Sequence, residues 1–203
     1  MVKNNVTGLI LAAGLSQRMG AFKPLMNFQG KPFVVSIINK LLDHCGKIIV
    51  VTGCWADELT GVIKANFDTN QIKLEYNPDY EKGMFTSLRK GVAAAQGNDW
   101  VLYHFIDQPF FTNAFYSEFV SQIDVSYDWI QPSYNGRPGH PIMFGKKVSD
   151  LIINSLLQSS LREIKNNHAV IRKEWACSYP EVLIDFDTKE SMDHYYLGLQ
   201  DKE

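Results

Sequence analysis

At 203 residues, with 45% hydrophobic and 21% charged side chains, the chain is long enough to bury one sizeable core and has the composition of an ordinary globular protein. Its formal net charge of -2 gives no long-range attraction for nucleic acid, so no polynucleotide partner is expected and any phosphate site must be built from local Lys, Arg and backbone N–H groups. Cys45, Cys54 and Cys177 are odd in number, widely spaced and form no C-x-x-C pair, which argues against a disulfide framework and a structural zinc site.

Taken in chain order, residues 7–13 form an apolar run bounded by glycine, the pattern of a strand buried on both faces of a parallel sheet. After a glycine-containing loop, Phe33, Val34, Ile37, Ile38, Leu41 and Leu42 follow Pro32 at three-and-four spacing, and Gly46 supplies the helix stop. Residues 47–53 give a second buried strand, 56–67 a helix, 71–76 a half-exposed alternating strand, 86–96 a helix and 100–106 a fourth strand. Beyond Pro109 the signals weaken. They predict a helix over 113–123, a strand around 129–132, a turn at Asn135-Gly136 within a hairpin, a short strand over 141–144 and helices over 149–157 and 160–167. A strand over 182–186 and a closing helix over 188–196 complete the chain. Strands alternating with helices of this length predict parallel strands joined by right-handed crossovers, hence an α/β fold, a single three-layer α/β/α sandwich. Such sheets bind ligands at the carboxyl ends of their strands. No apolar run approaches the roughly 18 residues needed to span a bilayer, and the N-terminus has no cleavage-site pattern, so a cytoplasmic protein with no membrane partner is expected.

The loop Gly14-Leu-Ser-Gln-Arg-Met-Gly20 follows the first strand directly. Its glycines let the backbone turn sharply and aim consecutive N–H groups at phosphate oxygens, and Arg18 and Lys23 add positive charge. The same residues also fit a solvated strand-to-helix loop. Two familiar nucleotide motifs fail: there is no G-x-G-x-x-G, and no G-x-x-x-x-G-K-[ST], because Ala21-Phe22-Lys23 follows Gly20.

The segment Leu11-Ala-Ala-Gly-Leu-Ser-Gln-Arg-Met-Gly20 with Lys23 resembles the L-x-A-G-x-x-x-R-M-G-x-x-K signature of nucleotidyltransferases related to the molybdenum cofactor guanylyl- and cytidylyltransferases. The resemblance continues in order: Asn77-Pro-Asp-Tyr-Glu-Lys-Gly-Met-Phe-Thr-Ser-Leu88 is similar to N-P-x-x-x-x-G-M-x-x-S-L, Asp107-Gln-Pro109 to D-Q-P, and Gly139-His-Pro141 to G-H-P. Ala12-Ala13-Gly14 looks like the CTP-using branch, whereas the guanylyl branch tends toward Ala-Gly-Gly.

The resemblance implies a mostly parallel, Rossmann-like sheet of the nucleotide-diphospho-sugar transferase type, in one domain over residues 1–203. Nucleotide would sit on about 1–110 and acceptor on about 111–203. It implies in-line attack by a substrate phosphate on the α-phosphorus of CTP, with Mg²⁺ as cofactor and molybdopterin or another small phosphorylated compound as acceptor. Arg18, Lys23 and Asp107 would be catalytic; Leu11, Ala12, Ala13, Gly14, Gly20, Lys23, Gly83 and Ser87 would hold the nucleotide. His140 and Arg162 would face the acceptor, and Asp107 with Asp187 the metal. A carboxylate at the end of a buried strand faces the ligand crevice, which agrees with Asp107 as an oxygen ligand. A cofactor-receiving enzyme is a further partner that the family implies.

Each assignment has a plainer counterpart. Asp107 fits a turn before Pro109, Thr86 and Ser87 fit helix caps, and His140 fits a surface turn. In Ile184-Asp-Phe-Asp-Thr188, similar to the family's I-D-x-D-T, either Asp185 or Asp187 fits the metal, while Asp187 or Thr188 fits a helix N-cap. The family's G-D-x-G-A-R segment is replaced by Leu157-Gln-Ser-Ser-Leu-Arg-Glu-Ile, with Arg162 alone left, and the small residue often found before the metal aspartate is Ile106. These departures leave open a cytidylyl- or guanylyltransferase acting on a sugar or alcohol phosphate, and a nucleotide-binding regulator without catalysis.

Overall fold

The computed structural model describes residues 5–16, 20–95, 97, 99–188, 190–193 and 195. In its first half, strand β1 (Val6–Ala12) leads through a small hairpin, β2 (Asn27–Phe28) and β3 (Lys31–Pro32), into helix α1 (Phe33–His44). Strand β4 (Lys47–Thr52), helix α2 (Ala56–Asn66), strand β5 (Ile72–Tyr76), helix α3 (Met84–Ala94) and strand β6 (Trp100–Phe105) follow. The alternation is the one read from the sequence, and β1 pairs parallel with both β4 and β6, while β5 pairs parallel with β4 at the edge.

The second half holds α4 (Asn113–Val120), β7 (Trp129–Tyr134), β8 (Arg137–Pro138), β9 (Ile142–Gly145), α5 (Lys146–Asn154), α6 (Leu161–Lys165) and β10 (Arg172–Ala176). The main sheet runs β10-β7-β9-β6-β1-β4-β5, with β8 paired to β7. It is mixed but mostly parallel, because β9 pairs antiparallel with both β6 and β7. The β7–β8 turn has φ of 51° at Asn135 and 72° at Gly136, the left-handed pair that two-residue hairpins favour.

Strand residues alternate between two cores. Ile48 and Val50 of β4 face α1, α2 and α4 in one cluster that includes Ile37, Leu41, Leu59 and Phe115. Ile49 and Val51 face α3, α5 and α6 in the other, with Leu88, Val148 and Ile164. A period of two in the strands set against a period of 3.6 in α1 thus yields three α/β/α layers. Each fully buried Ile, Leu or Phe on α1 contributes about 1.5–3 kcal/mol. No helix among the described residues is long and apolar enough to cross a membrane.

Three expectations change. The strand expected over 182–186 is instead a 3-10 turn, Pro180–Leu183, followed by an extended stretch. Proline at the first turn sets φ for a helical start, and the stretch after it is anchored by buried Phe186 and not by strand pairing among the described residues. Strand β10 was not expected, because Arg172-Lys-Glu-Trp-Ala176 carries the charges typical of an edge strand; it pairs parallel with β7 and stacks Trp175 on Phe119. The helix expected over 149–157 begins three residues earlier, at Lys146 after Gly145.

Candidate active site

A cavity of about 420 Å³ opens at the carboxyl ends of β1 and β6. Leu11, Ala12, Ala13 and Gly14 line it as β1 ends, with Ala12 and Ala13 buried. Lys23, Ser87 and Asp107 face it from other segments. The place follows from the topology, since parallel strands deliver their following loops to one edge. Gly20 sits in the left-handed region at φ 65° and does not line this cavity, and Arg18 lies outside the described residues. Ser16, also a lining residue, accepts a hydrogen bond from the Lys23 N–H at 3.2 Å, so its hydroxyl ties the two ends of the loop together.

Lys23 begins a 3-10 turn that continues through Pro24 and Leu25. Its Nζ donates to Asp187 Oδ1 at 2.7 Å and to Asp107 Oδ2 at 3.3 Å. Burial is the main influence on the Asp107 carboxyl and raises its pKa, with Lys23 acting against the rise. Asp107 Oδ1 is buried with no hydrogen-bond partner among the described residues.

Of the two late aspartates, Asp187 is the one that meets Lys23, whereas Asp185 accepts from Gln108 Nε2 at 3.0 Å. Burial, then repulsion from Asp187, raises the Asp185 pKa. The capping role falls to Thr188. Its N–H donates to Ser191 Oγ at 3.2 Å and its Oγ1 accepts from the Ser191 N–H at 3.3 Å, which leaves Asp187 to Lys23.

Gly83 is the N-cap of α3, at φ 114°, and does not line the cavity. The capping expected of Thr86 and Ser87 is not observed. Asn77 Nδ2 donates to Thr86 Oγ1 at 3.0 Å and to Ser87 Oγ at 2.9 Å, and the Thr86 hydroxyl donates toward the Gly83 and Asp79 carbonyls. Ser87 Oγ therefore spends an acceptor site on Asn77 and keeps its proton for the cavity.

His140 packs its ring 4.3 Å from that of Phe105 and is not the surface-turn residue its flanking prolines allow. Burial lowers its pKa to about 4, against a pull upward from Asp107, so the imidazole is neutral at pH 7. Gly139 is required there because a Cβ would run into the Val182 backbone, and His140 N–H donates to the Val182 carbonyl at 2.9 Å. Arg162 is exposed on α6 and does not line the cavity.

Sequence reasoning passed over Tyr80 and Met84, which also line the cavity. Both lie inside the quoted segment from Asn77 to Leu88: Tyr80 occupies one of its variable positions, which carry no signal, whereas Met84 is its fixed methionine after Gly83 and was open to being chosen.

Residues 8–172 match the family described as the MobA-like NTP transferase domain. Molybdenum cofactor cytidylyltransferase of Escherichia coli (strain K12) is 30% identical over 184 residues, 90% of this chain and 91% of that protein. Nicotine blue oxidoreductase of Paenarthrobacter nicotinovorans is 32% identical over 106 residues, 51% of this chain and 50% of that protein. The crystal structure of Rv0371c from Mycobacterium tuberculosis H37Rv superposes with a TM-score of 0.80 at 20% identity, covering 96% of this chain and 98% of that one. A nucleotidyl transferase from Methanothermobacter thermautotroptrophicus superposes at 0.77 and 19%, covering 98% of this chain and 100% of that one, which makes the fold that of the nucleotide-diphospho-sugar transferases. With its β1 loop, Lys23 and Asp107 gathered at one strand edge, the chain belongs to the MobA-like family of nucleotidyltransferases.

Proposed function

We propose that the protein transfers CMP from CTP to molybdopterin in the cytoplasm, with Asp107 and Asp187 holding Mg²⁺. The observation that carries this reading is the convergence of Lys23, Asp107 and Asp187 beside a cavity floored by Leu11, Ala12 and Ala13. The 30% identity to the cytidylyltransferase of Escherichia coli over nine-tenths of the chain supports the choice of nucleotide and acceptor.

The donor set suits a hard divalent cation. Asp107 Oδ1 is buried without a hydrogen-bond partner among the described residues, and a second carboxylate stands across Lys23 from it. Mg²⁺ is commonly held by one or two carboxylates together with substrate phosphates. When bound, it supplies positive charge against the triphosphate oxygens.

The chain's own residues do the rest. Ala12 and Ala13 are small and let the base approach the end of β1, and Ser87 offers it a hydroxyl. An oxygen of the acceptor phosphate forms a bond to the α-phosphorus as the bond from that phosphorus to the bridging oxygen breaks, and pyrophosphate departs. Lys23, released from the carboxylates by the triphosphate, stabilises the charge that builds on the transferring group, with Arg18 on the outer phosphates. Neutral His140 orients the acceptor by hydrogen bonding and not by charge.

A second acceptor class is favoured by one observation: Arg162, the residue left from G-D-x-G-A-R, is exposed on α6 and does not line the cavity. A sugar or alcohol phosphate would then take the place of molybdopterin. Incubation with CTP and each acceptor, with product masses read directly, separates the two, and binding of CTP without any product would identify a non-catalytic binding protein.

A further inference from the structure

Asp107 and Asp187 reach the same lysine from segments that share no strand pairing among the described residues. Asp107 follows β6, and Asp187 ends the extended stretch after Pro180–Leu183. The link between the segments is the residue next to Asp107. Gln108 is completely buried, and its Nε2 donates to the Ile184 carbonyl at 2.8 Å and to Asp185 Oδ1 at 3.0 Å. Beside it, the Phe186 N–H donates to the Asp107 carbonyl at 3.0 Å. On the far side, Lys40 Nζ donates to the Pro109 carbonyl at 2.8 Å, so the Asp107-Gln-Pro109 turn is held against both α1 and the late segment.

The amide suits this task better than its neighbours in size would. It offers two N–H directions and no charge. A carboxylate would face Asp185, and an apolar side chain would leave the Ile184 carbonyl and Asp185 without their donor. Gln108 Oε1 is itself buried with no partner among the described residues, which costs stability, so the side chain is an expensive way merely to fill space.

We propose that Gln108 is a positioning residue for the carboxylate pair: by gripping Ile184 and Asp185 it sets where Asp187 stands relative to Asp107, and thereby how tightly the pair takes a divalent cation. This rests on the reading of Asp107 and Asp187 as the metal-holding pair. Gln108 does not line the cavity, and its effect passes through Asp187.

The test is Mn²⁺ binding to the full chain with CTP present, followed by electron paramagnetic resonance, alongside thermal melts. Gln108→Met keeps the volume and removes both N–H groups. It should weaken Mn²⁺ by about 10–100-fold, the range for losing an outer-shell partner of a metal ligand, while the KM for CTP at saturating metal stays at the wild-type value. A folded Gln108→Met with Mn²⁺ affinity within about twofold of wild type, although Asp107→Asn abolishes binding, overturns the role of Gln108 alone. Wild type and Asp107→Asn binding Mn²⁺ equally well overturns the metal reading and this proposal with it. If Gln108→Met does not fold, Gln108→Asn, whose amide stops one methylene short, is measured against the same two criteria.

Discussion

Lys23 and Asp187, 164 residues apart in the chain, form an ion pair with Nζ 2.7 Å from Oδ1. The same ammonium reaches Asp107 at 3.3 Å, so one cation pairs with both carboxylates. On the proposed reading, a divalent ion would compete with this lysine for the two carboxylates until a triphosphate drew the lysine away. Lys23→Met is expected to bind Mn²⁺ more tightly than wild type without nucleotide, and to release pyrophosphate from CTP at least about 10²-fold more slowly. Weaker Mn²⁺ binding by the variant would contradict the competition.

Asp107 gives a trade between stability and activity. Its carboxyl pKa is raised on folding, chiefly by burial. The folded protein then binds more protons than the unfolded chain between the ordinary and the raised value, so stability falls as pH rises through that window. Asp107→Asn removes this cost. Its melting temperature at pH 7 should equal or exceed that of wild type, while pyrophosphate release falls about 10²-fold or more. A variant that melts several degrees lower would show that the ion pair with Lys23 outweighs desolvation.

His140 should titrate far below an exposed histidine. Burial holds its imidazole near a pKa of about 4, and nuclear magnetic resonance of its ring protons gives the midpoint directly. A midpoint at or above the ordinary 6.5 would mean that Asp107 and not burial governs the ring.

Gly139→Ala tests the close approach to the Val182 backbone. Overpacking against backbone, which cannot swing aside as a side chain can, is expected to destabilise by about 1–3 kcal/mol in urea unfolding. Unchanged stability would show that the segment shifts freely.

The β1 side of the cavity was legible in the sequence for a physical reason. A buried parallel strand must be apolar throughout and must end in a loop that faces the ligand edge, so β1 and its glycines announce both the strand and the place of the cavity. The same logic exposes Asp107 at the end of β6. Asp187 was harder, because no periodicity marks a residue held by an extended stretch with no strand pairing among the described residues; the motif favoured Asp187 over Asp185 only by resemblance, and the contacts to Lys23 and Gln108 are what separate them. Val182 to Phe186 look like a strand because a short apolar run also suits a segment pinned by a buried ring, here Phe186 among Phe28, Phe33 and Phe110.

The central claim is CMP transfer to molybdopterin, and the most direct measurement is pyrophosphate release with molybdopterin as acceptor and CTP or GTP as donor, with the product mass recorded. The expected result is Mg²⁺-dependent release from CTP in preference to GTP and a product heavier than the acceptor by one CMP unit. Equal or faster turnover of GTP, or no adduct of molybdopterin with either nucleotide, would contradict it.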